Sequence, residues 1–204
     1  MPDTSLDSPQ LIVPVPRVVI LDSSNLDLAK DILSVQFCSS RAPCKALEVS
    51  VNNSFDFRYS GRSQRDDPIH IGSEIGFSIG RFTLARGMVS SLGMSFPGDG
   101  PPTLTFSVDK NRILRKYRSN TFTIAYGRGL FEFHPVLNAG HPTINASGVA
   151  NGTPQLMAGV KLEIFGVGNI YQGTYLVTES THIYDLTHGY ITRFTCTTEF
   201  STHP

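Results

Sequence analysis

Hydrophobic residues recur along this chain with a period of two. In KALEVSV, Leu47, Val49 and Val51 fall on one face while Ala46, Glu48 and Ser50 fall on the other. IHIGSEIGFSIG alternates through Ile75, Phe77 and Ile79, TLTFSV through Leu104, Phe106 and Val108, and GVKLEIF through Val160, Leu162 and Ile164. The segment GYITRFTCTTEF sets Tyr190, Phe194, Cys196 and Phe200 against Arg193 and Glu199. Successive side chains of a strand point to opposite faces, so this alternation describes strands with one buried side. Clusters of Gly, Pro, Asn and Asp separate the runs. The pattern predicts a mainly β chain whose short antiparallel strands close, or partly close, into two small barrels.

A period near 3.6 is confined to two places. LDLAKDIL, 26–33, could form two turns of helix behind Asn25, with Leu26, Ile32 and Leu33 to one side. DKNRILRKY, 109–117, offers Asp109 as a cap and Ile113, Leu114 and Tyr117 as an apolar stripe. One or two short helices are therefore expected. There is also an internal repeat. Gly80 and Gly87 precede the apolar stretch MVSSL, and Gly166 and Gly173, at the same spacing, precede TYLV. An alternating strand lies upstream of each pair and another lies downstream, beginning at Leu104 and at Tyr190. The plan predicts an N-terminal extension over 1–16, a first barrel over 17–126 closed by the helix near 109–117, and a second barrel over 127–204.

Charge narrows the function. Across 204 residues, 17 Lys and Arg balance 17 Asp and Glu, which argues against a dedicated nucleic-acid binder. Charged residues make up 17% of the chain, below the usual ~25%, as expected of a surface that meets other protein. The opening MPDTSLDSPQLIVPVPR lacks a basic start, and Pro14 and Pro16 interrupt its apolar stretch. Neither a signal peptide nor a membrane span is predicted.

Candidate chemistry is sparse. Cys38, Cys44 and Cys196 lack the spacing of a zinc site and are read as buried or incidental thiols. His182 and His188 bracket a turn containing Asp185, but nothing supplies a clear third metal ligand. The remaining histidines, His70, His134, His141 and His203, are scattered. Asp66 and Asp67 beside Pro68 read as water-facing carboxylates. No GxSxG, HExxH or P-loop occurs. No catalytic residue, metal ligand or cofactor-binding residue is assigned, and the chain is read as a non-enzyme. The one charged cluster, Arg112, Arg115, Lys116 and Arg118, has two readings. It is an electropositive patch facing a partner or a channel, or a solvated helix face whose cations suit the helix dipole.

The segment 166–196, GVGNIYQGTYLVTESTHIYDLTHGYITRFTC, resembles the C-terminal barrel of the phage late control protein D and VgrG-type baseplate hub family. The resemblance is carried by Gly166, Val167, Gly168, Tyr171, Gly173, Tyr175, Val177, His182, Tyr184, Asp185, Gly189, Tyr190, Thr192 and Phe194. LEVSVNN, IHIGSEIGFSIG and GMVSSLGMSFPGDGPPTLTFSVDKNRILRKYRSNTF are similar to the family's first barrel and its closing helix, and GRGLFEFHPVLNAG to the opening of its second. The resemblance implies structural roles for Gly166, Gly168, Gly173, Tyr175, His182, Tyr184, Asp185, Gly189, Tyr190 and Phe194. It also implies a baseplate hub of a contractile tail or injection system, made in the bacterial cytoplasm and built into a particle. Such a hub adapts a six-fold tail tube to a three-fold spike. Two barrels per chain, repeated three times, present six similar positions. The implied partners are further copies of the chain, as a homotrimer in preference to a hexamer, with tail tube, spike and other baseplate proteins. Cargo or nucleic acid passes only in transit, and no cofactor is implied.

Two departures point to a shortened form. The domain that family hubs usually carry between their barrels is missing where RSNTFT runs into GRGLFEF, and no OB-like spike domain precedes Pro204. Two other readings stand beside the hub. One is a hexameric tube initiator of the same lineage. The other is a phage-type cell-wall hydrolase accessory or carbohydrate-binding module, against which the absence of Trp and of a paired-carboxylate motif counts.

Overall fold

Where alternation is bounded by turn residues, the chain forms strands. The computed structural model describes residues 15–21, 26–40, 46–62, 67–109, 121–137 and 143–199. The first half holds β1 (Pro16–Ile20), β2 (Leu26–Asp27), β3 (Ile32–Ser40), β4 (Leu47–Asn52), β5 (Glu74–Ile79), β6 (Phe82–Ser95) and β7 (Thr103–Val108). The second half holds β8 (Phe122–Tyr126), β9 (Gly129–Leu137), β10 (Thr143–Asn151), β11 (Lys161–Phe165), β12 (Gly173–Asp185) and β13 (Gly189–Glu199). The fold is mainly β, as the periodicity predicts.

No helix occurs among the described residues, so none there could cross a membrane. The helix expected over 26–33 is a strand, a turn and the start of another strand. Asp27 Oδ1 accepts the Ala29 amide at 3.0 Å, and the Asp31 amide bonds to the Leu28 carbonyl at 2.9 Å. This reverses the chain straight into β3, and two competing ladders outweigh two turns of weak helix propensity. The helix expected near 109–117 falls, from residue 110 onward, outside the described residues.

All thirteen strands belong to one sheet, in the order β11-β8-β9-β10-β13-β12-β3-β4-β7-β6-β5-β1-β2, with β11 also paired to β12. That last pairing closes β8 through β13 into a six-stranded barrel. Its strands are not all antiparallel, because β8 runs parallel to both β11 and β9. The first half curls without a ladder joining its ends among the described residues. Phe37 of β3 and Phe77 of β5 have three strands between them in the sheet order, yet their rings approach to 5.6 Å.

The two halves share one wiring. β3-β4-β7-β6-β5 and β9-β10-β13-β12-β11 are paired in the same order and share bulges at two places, while a third bulge, at Leu84 between β5 and β6, has no counterpart between β11 and β12. Leu33 is extruded between the Ile32–Val51 and Ser34–Ser50 pairs, as Phe131 is between Leu130–Ala150 and Glu132–Val149. Ser90 is extruded between Val89–Val108 and Ser91–Ser107, as Thr178 is between Val177–Cys196 and Glu179–Thr195. This register corrects the glycine alignment. Gly87 faces Ile75 as Tyr175 faces Leu162, so Gly87 corresponds to Tyr175 and not to Gly173.

Each half encloses a core. Val18, Phe37, Val49, Phe77, Leu84 and Phe106 anchor the first, and Ile124, Leu130, Ile144, Leu162, Tyr175 and Phe194 the second. Met157, Val160 and Tyr190 of the second half pack into the first core, so the cores meet. Two sequence expectations fail here. Asp67 is buried, and its carboxylate accepts the Gly61 and Arg62 amides at 2.8 and 3.1 Å, organising the preceding loop. Cys38 is disulfide-bonded rather than an incidental thiol, while Cys196 is a buried free thiol that burial pushes up to about 12.

Gly148 in β10 lies under the Phe194 ring. A Cβ there would come within 2.6 Å of Phe194 Cζ and 2.8 Å of the Glu132 carbonyl. We expect Gly148→Ala to lower unfolding stability by about 1–3 kcal/mol through overpacking. Gly93→Ala, whose new methyl has no neighbour nearer than 3.9 Å, should change it by less than about 0.5 kcal/mol in the same urea titration.

Candidate functional site: a strand seam and two open edges

β12 serves both halves. Residues 173–176 pair with β11 and complete the barrel, and beyond the Thr178 bulge Glu179 to Asp185 pair with β3. β13 runs along the opposite side from Leu176 to Asp185. A bulge sharpens local twist, which lets one strand leave the barrel and enter the neighbouring sheet.

His182 sits on this seam. Its ring packs 5.7 Å from Phe37 and stacks 6.0 Å from Tyr190, joining the halves. Nδ1 lies 2.8 Å from the Tyr190 hydroxyl and 3.3 Å from Thr192 Oγ1. Burial pushes the imidazole down to about 4, with the Leu156 backbone opposing the shift. The other segment 166–196 residues lie around it. Tyr175 fills the barrel, its hydroxyl donating to the Tyr171 carbonyl at 2.5 Å and its ring meeting Phe133 edge-on at 5.8 Å. Tyr184 is half-buried against the first core. Asp185 Oδ1 accepts the Thr187 and His188 amides at 2.8 and 2.6 Å, which holds its carboxyl below the usual range and forms the hairpin turn ahead of Gly189. Tyr190 lies over Gly152 as Phe194 lies over Gly148. Gly166 and Gly168 adopt the left-handed conformation in the turn after β11, and Gly173 opens β12.

These residues form no catalytic constellation. His182 is in the core and His188 is on the surface beside Asp185. Among the described residues no three His, Cys, Asp or Glu side chains converge as metal ligands would. The open depression over Gly148 mixes Glu132, His134, Glu179 and Arg193 without excluding water. Arg112, Arg115, Lys116 and Arg118 lie outside the described residues.

The sequence reading did not identify two strand edges that lack partners among the described residues. β9 pairs with β10 along Leu130 to Leu137 but with β8 only at Gly129 and Leu130, leaving its outer side open from Phe131 onward. The second half of β6 pairs with β7 on one side. On its other side the Ser73 carbonyl and the Gly72 amide engage Val89, and no strand follows from Ser91 to Ser95. Exposed apolar side chains lie along β9 and at the end of β6. Phe131, Val136 and Leu137 are 52%, 56% and 48% exposed, and Phe96, just past β6, is 66% exposed. The signal available in the sequence was Pro135, since a proline within a strand belongs at an edge.

No family model matches the chain, and no curated protein matches it in sequence. Solved structures do match its fold. A tail protein from Neisseria meningitidis MC58 is similar at a TM-score of 0.63 and 4% identity, over 90% of this chain and 96% of that one. The 43 kDa tail protein of prophage MuSo2 from Shewanella oneidensis is similar at 0.59 and 7% identity, over 90% and 96%. The chain thus has the fold of phage tail proteins.

The depressed His182 pKa makes stability depend on pH. The unfolded chain binds this proton below about pH 6.5 and the folded chain only below about 4, so stability is full above 6.5 and falls as pH drops through that window. The loss should approach roughly 3 kcal/mol. His182→Gln should flatten that part of the profile in urea unfolding at stepped pH. An unchanged slope would assign the dependence elsewhere.

Proposed function

We propose that this protein is a structural hub-type component of a contractile phage tail or injection system, forming a ring that joins a six-fold tail tube to a three-fold central spike. The observation that carries the reading is the duplicated strand wiring, with both bulges retained in each copy. A chain containing one unit twice presents six similar positions when three chains surround an axis. The fold shared with tail proteins supports a place in such a particle. The resemblance of segment 166–196 to late control protein D and VgrG-type hubs supports the hub over other tail positions. The low proportion of charged residues suits extensive protein contact.

In this reading the chain comprises two related units after an N-terminal extension. The boundary of this reading falls ahead of β8 instead of after residue 126, where the sequence pattern puts it, because the ladders of β8 run only to β9 and β11. The partners are copies of itself, the tube, the spike and neighbouring baseplate proteins. The protein acts by geometry rather than by chemistry.

Electron microscopy of the purified assembly, viewed along its axis, tests the proposal. We expect three copies forming six lobes around a channel. Six copies would make the chain a tube initiator, and a chain that stays monomeric with its tube and spike partners present would end the ring.

A further inference from the structure

We propose that residues 152–160, the link from β10 to β11, form a strap that fastens the two halves together over the neutral ring of His182 and lifts when that ring takes up a proton. The strap belongs to the single chain, with or without a ring of copies around it.

Backbone bonds hold its two ends. The Gly152 amide donates to the Tyr190 carbonyl at 3.0 Å, and the Gly159 amide to the Val177 carbonyl at 2.7 Å. Between them, consecutive side chains part. Leu156 enters the second core and Met157 the first, and both are buried, so this pair staples one half to the other. The polar ties of the middle are two hydroxyls of the seam. Thr192 Oγ1 accepts the Thr153 amide at 3.0 Å, and Ser39 Oγ accepts the Ala158 amide at 3.3 Å. The link in the same place of the first half, after β4, is secured differently. There the Asn53 side chain accepts the Tyr59 amide at 2.8 Å and donates to the Ser60 carbonyl at 2.7 Å, tying that loop to itself. Gly159 has a left-handed backbone, φ +92°, with no atom within 4 Å of an added Cβ, as a hinge at the strap's end requires.

His182 joins these ties. Because the Thr153 amide donates to Thr192 Oγ1, the Thr192 hydroxyl can give its own proton to His182 Nδ1 at 3.3 Å. The Tyr190 hydroxyl gives its proton to the same nitrogen at 2.8 Å. Nδ1 is therefore the acceptor and Nε2 carries the hydrogen. A further proton from solvent binds at Nδ1, turns it into a donor and deprives both hydroxyls of their acceptor. It also puts a cation in the core. From β13 the titratable group meeting the ring is the Tyr190 hydroxyl, and on β12 itself Tyr184 lies along the same face. β3 presents Phe37 and the strap presents Leu156, and none of these groups is a carboxylate. Nε2 makes no well-formed hydrogen bond, and the Leu156 backbone favours the charged ring less than burial opposes it. The cation is stable only where water reaches it. β12 is held through position 182 by ladders on both sides, to β3 and β13. The middle of the strap is held by two hydroxyl bonds, so lifting it is the least costly way to hydrate the ring.

Amide hydrogen exchange of the full-length chain, followed by NMR between about pH 7 and 4 and corrected for intrinsic rates, tests the strap. Ladder amides of β4–β7 and β10–β13 are the reference. We expect the amides of Thr153, Ala158 and Gly159 to be at least about tenfold less protected than the ladders, and indifferent to urea up to about 1 M, as local openings are. Their protection should fall by up to about tenfold per pH unit below 6.5, and about 300-fold in all by about pH 4. His182→Gln, whose amide oxygen can still accept the two hydroxyls, should abolish that slope and keep the protection seen near neutral pH. Thr192→Val, which removes one tie and keeps the side-chain shape, should speed strap exchange near pH 7 at least about tenfold and leave the ladders unchanged. Strap amides that exchange in step with the ladders, that show no slope with pH, or that keep the slope in His182→Gln would overturn the proposal. Unchanged strap exchange in Thr192→Val would do the same.

Discussion

A strand edge is a row of backbone donors and acceptors that must pair or face water. The disposition of edges organises this molecule. The barrel hides most of its own by closing on the β11–β12 ladder. β3, which would otherwise be exposed, is covered by the far half of β12. That single extension determines several other features. It requires the bulge at Thr178, places His182 between Phe37 and Tyr190, and draws Met157 and Val160 into the first core. A histidine there serves as a flat ring with a polar rim. Neutral, it accepts or donates at Nδ1 while its faces pack, and acid converts it into a buried cation that the seam is poorly equipped to hold.

The alternation made the strands legible, because a half-buried strand must alternate whatever surrounds it. Segment 26–33 reads as helix because Leu26 and Leu33 stand seven residues apart, as on one helix face, while Leu33 is a bulge residue that breaks the period of two. The repeat was visible, but its register was not. Glycines mark places where backbones or rings come close, and those differ between the halves. Gly87 avoids Val108, while the corresponding Tyr175 fills a core. The duplication is preserved in hydrogen-bond wiring and bulge positions, which a single sequence does not display. Asp67 illustrates the same limit. Its burial depends on the amides of a loop folding back on it, and composition alone marks such a residue as solvated.

The candidate interface was the least legible part. An open edge and a central strand can have the same alternation, and only the full pairing order distinguishes them. FEFHPVL offered a hint through Pro135, which costs a ladder bond wherever it sits inside a sheet. The motif-rich segment 166–196 was easier to notice, but its aromatics and glycines serve the seam and the hairpin turns. The features that draw the eye in this sequence hold the chain together, while the stretches left open among the described residues read as ordinary strand.

Retention of both bulges in both halves has a consequence for assembly. A bulge that lets β12 leave its barrel and reach β3 gives β6 the same departure, since Ser90 and Thr178 occupy the same place in the ladder. In the second half that departure is used within the chain. In the first half it leads β6 past Val89 to an edge ending in exposed Phe96. If each departure carries the same local twist, the angle between neighbouring units is set by the bulge and not by whether a peptide bond joins them. A covalent pair of units and a non-covalent pair would then meet at similar angles. That is the geometric condition for a ring of doubled chains to present near-equal steps around its axis.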